Sequence, residues 1–226
     1  MEFTQLSLTV MNASASVLVN GFPVANTKDG VQSRPIDLFL LENNTLSLTV
    51  TPEEKGRVQL RIETAAQGEI VDTSDASPAL LNLNEEVTSQ KTYTLTFNTP
   101  GKTLGKRLLG TPLTEQTALT YARTLAQLIQ NKDYEKLATH FQPKFEDYAA
   151  LYGQTTNQIA KDFISFWQQF TFAFDLNSIT VQSYCSGRVF CLLHNNKPFI
   201  TAVRDRGEYN MEVYIANVNG TPKIIR

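Results

Sequence analysis

The feature that most constrains the fold is a change of hydrophobic period in the second half of the chain. From Leu113 to Phe170, apolar residues recur at helical spacing in about four segments that end at turn signals. From Phe172 to Arg226 the period becomes two, as in about four antiparallel strands. A helical layer followed by an antiparallel meander predicts an α+β domain in which helices pack on a bent sheet and form a pocket.

The helical segments have recognisable starts and stops. Pro112 and Thr114 are start signals for the first helix, Asp133 is a predicted N-cap, and Thr156 or Asn157 is predicted to cap the last helix. Gly153 ends the third segment. The helices therefore number about four, and their apolar faces are rich in aromatic residues.

The first hundred residues alternate with period two and contain no convincing helical pattern. The turn signals between the predicted strands include Asn20-Gly21, Lys55-Gly56 and Gln67-Gly68. Among about seven predicted short strands is one at residues 70–71, and the stretch 73–90 is left open between a loop and a weak strand near Leu80 to Leu83. Strands at this spacing predict an all-β sandwich over residues 1–100.

Residues 101–111 are rich in glycine and basic side chains and lose the periodicity of the flanking segments. We interpret them as a linker between the sandwich and a second domain over residues 112–226. The linker contains Gly101-Lys102-Thr103, but a phosphate-binding loop would need a glycine at the position of Thr96. The pattern therefore favours a linker over a nucleotide site.

Composition excludes several classes of protein. Of the 226 residues, 42% are hydrophobic and 19% are charged, as in ordinary globular proteins. Residues 1–105 carry 7 basic and 12 acidic side chains, and residues 106–226 carry 13 and 10, so neither half has the dense positive charge of a nucleic-acid-binding surface. No apolar run reaches about 18 residues and no signal peptide begins the sequence, which predicts a cytoplasmic protein without nucleic-acid or membrane partners.

Two stretches of the second half carry a family likeness: Asn131-Lys-Asp-Tyr-Glu-Lys-Leu-Ala-Thr-His-Phe141 and Tyr214-Ile-Ala-Asn-Val-Asn-Gly-Thr-Pro-Lys-Ile-Ile225. Together with the long first helix, they resemble the nuclear-transport-factor-2-like (SnoaL-like) superfamily. The resemblance implies a cone of helices against a bent sheet, used in that superfamily as an enzyme pocket, a ligand site or a dimer surface. One departure is a predicted helix from Phe145 to Tyr152, which replaces a hairpin often found between the second and third helices.

Five aromatic side chains are candidates for the lining of a ligand pocket: Tyr148, Tyr152, Phe163, Trp167 and Tyr214. The first four recur at helical spacing, and Tyr214 falls on a predicted strand. An aromatic face of this kind forms either a solid core or the wall of an apolar cavity, and both interpretations stay open.

Groups suited to acid/base catalysis are few. The chain has two histidines, of which His140 falls at the end of a predicted helix, where a cation complements the helix dipole. Asp175 and His194 are the weak candidates for a catalytic acid or base, because each is placed to project from the predicted sheet or its edge. No Asp/His pair shares an evident face, and no metal-ligand spacing occurs, so we predict no metal and no cofactor.

Cys185 and Cys191 flank the tip of a predicted hairpin. A three-residue loop over residues 187–189 would place them opposite each other, whereas a two-residue turn at Ser186-Gly187 would send them to opposite faces of the sheet. We predict reduced thiols, because Cys191 falls in an apolar strand where a thiol packs as a small hydrophobe.

These observations favour a non-catalytic accessory protein that binds a protein or a ligand. The titratable groups do not converge, and the halves have opposite net charge, −5 for residues 1–105 and +3 for residues 106–226, which suits surfaces for partners of different sign. The candidate partners are another protein, a small apolar ligand, or a second copy bound through the C-terminal sheet. The alternative is an enzyme of the cone-fold type in which Asp175 or His194 acts as acid or base on a small apolar substrate.

Overall fold

The structure is a computed structural model that describes residues 2–66, 78–172, 174–204 and 207–226. The chain forms two compact units, Met1–Lys106 and Arg107–Arg226, and each is described by itself. The strand predicted at residues 70–71 lies outside the described residues.

The N-terminal unit is a five-stranded antiparallel sheet in the part that the structure describes. Its strands are β1 (Glu2–Val19), β2 (Phe22–Pro35), β3 (Asn43–Ala66), β4 (Leu81–Val87) and β5 (Lys91–Asn98). β1 lies between β2 and β3, while β5 pairs with the first part of β3 and β4 with its second part. Asn20 and Gly21 both have positive φ and turn β1 into β2, as the Asn-Gly signal predicts.

Three strands of this sheet are irregular at the same level. The register between β1 and β3 shifts between Met11 and Ala13, and the intervening Asn12 has a φ of +52°. Nearby on β2, the Asp29 carboxylate accepts the Ala13 backbone N–H at 3.2 Å. On β3, a Cβ at Gly56 would lie 2.9 Å from the Ala13 Cβ, so only glycine fits this close approach. These irregularities lie on one line across the three strands, and bulges of this kind are the feature by which a long strand bends.

The inner face of the sheet is buried on both sides of that line. Residues without exposed surface include Leu6, Leu8, Leu46, Leu48, Leu60 and Ile62. Besides the strands, the described part of this unit contains only short 3₁₀ helices. The prediction of about seven short strands is wrong, because Lys55-Gly56 bends β3 instead of ending it, and Asp37–Phe39 form a 3₁₀ helix where a strand is expected.

The segment that we predicted as a linker is structured. Leu104–Leu109 form a 3₁₀ helix. A Cβ at Gly105 would lie 2.6 Å from the carbonyl oxygen of Phe39, so this glycine permits a close backbone approach. The boundary of the two units falls inside this helix, between Lys106 and Arg107.

The C-terminal unit begins with four α-helices in the part of the chain that the structure describes. They are α1 (Glu115–Gln130), α2 (Tyr134–His140), α3 (Gln142–Tyr152) and α4 (Thr156–Trp167). Thr114 caps α1 and Asp133 caps α2, as their positions predict. The cap of α4 is Thr155, whose hydroxyl accepts a backbone N–H of the first turn, so the prediction of one of the next two residues is wrong.

Eight strands follow among the described residues, and they form two antiparallel sheets. They are β6 (Thr171–Phe172), β7 (Ile179–Tyr184), β8 (Val189–His194), β9 (Lys197–Pro198), β10 (Ile200–Arg204), β11 (Gly207–Met211), β12 (Val213–Val218) and β13 (Thr221–Ile224). One sheet has the order β13-β12-β8-β7, with β9 also paired to β8, and the other has the order β11-β10-β6. The chain passes between the sheets at Phe199 and at Glu212, so the strand predicted from Tyr209 to Ile215 is divided between them.

The helices and both sheets share one hydrophobic core. Its buried members include Ala118, Ala122, Leu125 and Ile129 from α1, Leu192 from β8, and Val213 and Ile215 from β12. The contribution of α4 differs, because Ile159 and Phe163 pack against this core but are only partly buried.

Candidate functional site

α4 has the sequence of a strongly amphipathic helix, yet only one of its apolar side chains is buried. Trp167 is 1% exposed, whereas Ile159, Phe163 and Ile164 are partly buried and Phe166 is 37% exposed. The apolar face of a helix normally packs against a core. Much of this face instead borders a cavity.

The cavity lies between α3, α4 and β11 and has a volume of about 390 Å³. Its apolar lining consists of Phe145, Ile159, Phe163, Phe166, Trp167 and Met211. Tyr148 and Tyr209 add their rings, and the polar side chains that reach the cavity are Lys144, Gln154 and Asp162. A mainly apolar lining and a volume in the range of about 300–1,000 Å³ are typical of sites for small ligands.

The aromatic lining is a connected set of rings. The centroid of Phe163 lies 4.5 Å from that of Phe141 and 4.8 Å from that of Trp167. Trp167 in turn stacks on Phe172 of β6 at 5.0 Å. Aromatic pairs at these separations attract each other, so the rings hold this wall of the cavity in place.

Lys144 is the cation of the cavity. Its ammonium lies 5.9 Å from the ring centroid of Phe141 and 5.8 Å from that of Tyr148, within the range of cation–π attraction. Among the described residues, no hydrogen bond or ion pair of this ammonium is found. Burial, and then the positive charge of Arg226, lower the pKa of Lys144 to about 8. The side chain is therefore still mostly charged at neutral pH.

The carboxylates of α3 and α4 have other partners. Asp162, on α4, accepts a hydrogen bond from the side chain of Gln158 at 2.8 Å. Asp147, on α3, is buried and accepts Nε of Arg107 at 2.9 Å and the guanidinium of Arg226. One carboxylate thus binds two guanidinium groups and ties α3 both to the segment before α1 and to the residues after β13.

The structure brings three of the five predicted pocket residues together at this cavity: Tyr148, Phe163 and Trp167. Tyr152 is 40% exposed and packs on Tyr148 with centroids 5.7 Å apart, outside the lining. Tyr214 is also outside it, because β12 and β11 belong to different sheets. On β12, Tyr214 lies opposite Cys191 and its hydroxyl donates to Glu212 at 3.0 Å.

Asp175 and His194, the weak catalytic candidates, have structural roles. The Asp175 carboxylate accepts the Ser178 hydroxyl and the Asn177 backbone N–H, which caps a 3₁₀ helix, Leu176–Ser178. These two hydrogen bonds lower the pKa of Asp175, which makes it a weaker base. His194 Nε2 accepts the Asp175 backbone N–H at 3.0 Å, and neither side chain lines the cavity.

His140 is partly buried and has a hydrogen-bond partner within the C-terminal unit. Its Nδ1 lies 2.8 Å from the hydroxyl of Tyr121, which links α2 to α1. Burial, followed by the positive charges of Lys223 and Lys136, lowers the pKa of His140. The expected interaction of a charged His140 with the helix dipole is therefore weak at neutral pH.

Both cysteines are buried thiols. Tyr184 pairs with Val189, so Cys185 begins a connection of four residues, 185–188, and neither of the two predicted loops occurs. Burial raises the pKa of Cys185 to about 11 and that of Cys191 to about 12. Thiols of such high pKa are poor nucleophiles at neutral pH.

Lys144, Tyr209 and Met211 are among the residues of the cavity that sequence reasoning missed. Lys144 lies in the first turn of α3, where a cation opposes the helix dipole, and this unfavourable position was a signal. Tyr209 and Met211 alternate along β11 and so share one face of it. The local sequence pattern does not indicate which helix packs opposite that strand.

Within the described residues, no group of three or more side chains is placed to hold a metal ion. No helix in that part of the chain is long and apolar enough to cross a membrane. Comparison with known proteins finds no matching family model, no matching curated protein and no matching solved structure.

Proposed function

We propose that the C-terminal unit is a non-catalytic binding domain that takes a small apolar ligand into the cavity between α3, α4 and β11. The observation that carries this proposal is the position of α4, whose apolar face borders a cavity of about 390 Å³. Covering that face with a ligand removes apolar surface from water, which is favourable by roughly 25 cal/mol per Å².

The groups considered for acid/base or nucleophilic catalysis do not converge on the cavity. A general acid or base must lie within hydrogen-bond reach of the reacting group. His194 Nε2 accepts the Asp175 backbone N–H, the Asp175 carboxylate accepts hydrogen bonds from Asn177 and Ser178, and neither candidate side chain lines the cavity. The high pKa of the two thiols disfavours nucleophilic catalysis through Cys185 or Cys191.

We also propose that the two units are the sandwich and the cone predicted from the sequence. The fully buried inner face of the N-terminal sheet supports the sandwich. The chain passes directly from one C-terminal sheet to the other at Phe199 and again at Glu212. This continuity supports the interpretation of both sheets as parts of one strongly bent sheet of the nuclear-transport-factor-2-like kind. In this proposal α3 takes the place of the hairpin and supplies one wall of the cavity.

The single tryptophan of the chain makes the proposal testable without a label. Trp167 lines the cavity, so its emission should report a ligand there. We suggest titrating the full chain with cyclohexylbutanol, which is neutral, apolar and non-fluorescent. A saturable change in Trp167 emission is expected, and calorimetry should give the same dissociation constant.

Two variants locate the binding. Ile159→Phe adds volume at the lining and should weaken cyclohexylbutanol binding. Val31→Phe is the matched control, because Val31 is 72% exposed on β2 of the N-terminal unit and is not a lining residue of the cavity. Equal binding by both variants, or no saturable response, would contradict the proposal. A dimer whose contact protects α4 from hydrogen exchange would also contradict it and would favour a protein partner.

A further inference from the structure

We propose that the ligand of this cavity is an organic acid, whose carboxylate binds Lys144 while its apolar body lies on the aromatic lining. The inference rests on the ligand-binding function proposed above and adds the chemical class of the ligand. The observation behind it is a cation that lines an apolar cavity and lacks an anionic partner among the described residues.

A partly buried ammonium needs a counter-charge. Removing a charged group from water is costly unless it is paired and hydrogen-bonded. The rings of Phe141 and Tyr148 offset a part of that cost, but neither supplies a hydrogen-bond acceptor of opposite charge. A carboxylate held in the cavity would supply it as a charge-assisted hydrogen bond to the Lys144 ammonium.

The surroundings of Lys144 reinforce this preference. Lys144 lies in the first turn of α3, where the backbone amides carry partial positive charge. Phe141, the N-cap of that helix, makes no side-chain capping hydrogen bond. The positive charge of Arg226 is close enough to lower the pKa of Lys144. An anion at this end of the cavity is therefore stabilised by the helix terminus as well as by the lysine.

The same geometry sets the orientation of the ligand and its charge. Asp162 reaches the cavity from α4 and would repel a carboxylate, so the acid group is placed at α3 and the apolar body towards α4 and β11. The guanidinium groups of Arg107 and Arg226 are already bound to Asp147. Among the described lining residues, Lys144 is thus the cation left for the ligand, which fits a monoanionic carboxylate better than a phosphate.

A matched pair of probes separates this inference from the proposed function. Cyclohexylbutanoate and cyclohexylbutanol differ mainly in the carboxylate, and both are followed by Trp167 emission and calorimetry at neutral pH. The wild-type chain should bind the acid about tenfold more tightly than the alcohol, or better, as expected for a hydrogen bond to a charged group. Decanoate and decanol repeat the comparison with a flexible apolar body.

Three variants assign the preference to Lys144. Lys144→Met keeps the length of the side chain without its charge and should abolish the preference, so that this variant binds the acid no more tightly than the alcohol. Lys144→Arg keeps the charge and should retain the preference. Lys161→Met is the control, because Lys161 is an exposed cation on α4 that does not line the cavity.

The outcomes distinguish the two proposals. If neither probe binds, the ligand-binding function is wrong and the inference falls with it. If acid and alcohol bind the wild-type chain equally, the inference is overturned while the binding function stands, and this comparison needs no variant to fold. A preference that survives in Lys144→Met would show that another group holds the carboxylate and would also overturn the inference.

Discussion

α1 and α4 are built alike and are covered differently. Each begins at a threonine cap and carries an apolar stripe at helical spacing. The buried residues of α1 are Ala118, Ala122, Leu125, Ala126, Leu128 and Ile129, whereas α4 buries Trp167 alone. An amphipathic pattern therefore specifies a helix and an apolar face, while the elements around the helix decide whether that face is packed.

The difference follows from what each helix packs against. α1 contacts β7 and β8 of the larger C-terminal sheet as well as α2, so its stripe is enclosed. α4 contacts α2 and α3, and its Trp167 stacks on the two-residue strand β6. The smaller sheet, β11-β10-β6, leaves room between α3, α4 and β11, and that room is the cavity.

The largest expected effect is a difference between α1 and α4 in the free energy of unfolding that is lost when an apolar side chain is truncated to alanine. Leu125→Ala removes a side chain that is 1% exposed and should lower the free energy of unfolding by about 2–5 kcal/mol. Ile159→Ala, at the cavity lining, should cost well under about 2 kcal/mol, because part of that side chain already faces the cavity. Urea unfolding followed by Trp167 emission measures both values in the C-terminal unit. Equal costs would show that α4 is packed like α1 and would remove the basis of the binding proposal.

A smaller effect is expected when Lys144 is titrated. With a pKa of about 8, its ammonium is largely protonated at pH 7 and largely neutral at pH 9. If only the cation binds a carboxylate, the affinity for cyclohexylbutanoate should fall roughly tenfold over that range. The affinity for cyclohexylbutanol should stay constant, and so should the acid affinity of Lys144→Arg.

The other charged and titratable groups facing Lys144 are Tyr148 on α3, Asp162 on α4, Tyr209 on β11 and Arg226 after β13. Burial raises the pKa of Tyr209, so its phenol stays neutral in this range. An acid affinity that does not change between pH 7 and pH 9 would show that Lys144 is not the group that binds the carboxylate.

Features set by a few neighbouring residues were predictable from the sequence. Asn20-Gly21 and Asn219-Gly220 adopt the positive φ angles of tight hairpin turns. Thr114 and Asp133 cap helices because capping joins a side chain to a backbone N–H three residues away. In each case the deciding contact lies within one turn of chain.

Features set by distant segments were not predictable. Lys55-Gly56 has the composition of a turn, but β1 and β4 pair with β3 on its far side and keep the strand continuous through the bend. Tyr214 has the alternation of a pocket residue, yet the chain changes sheets at Glu212 and carries it away from the cavity. Among the described residues, Lys144 lacks an anionic partner, and this likewise depends on Arg107 and Arg226, which are distant from it in sequence and bind Asp147.

The smallest expected effect is the difference between the free energies of unfolding that are lost when each of the two threonine caps is replaced by alanine. The Thr114 hydroxyl accepts the Thr117 N–H at 3.1 Å, and the Thr155 hydroxyl accepts the Gln158 N–H at 3.3 Å. Replacing either threonine by alanine should cost about 1 kcal/mol, because capping is local and does not depend on how the helix face is covered. Urea unfolding of Thr114→Ala and Thr155→Ala should therefore give free energies within a few tenths of a kcal/mol of each other.

A loss for Thr114→Ala alone, with faster amide exchange in α4 of Thr155→Ala, would mean that α4 opens separately from the rest of the unit. The incomplete packing of α4 beside the cavity would then make this helix less stable than the rest of the unit, and a bound ligand would be needed to hold α4 against the core.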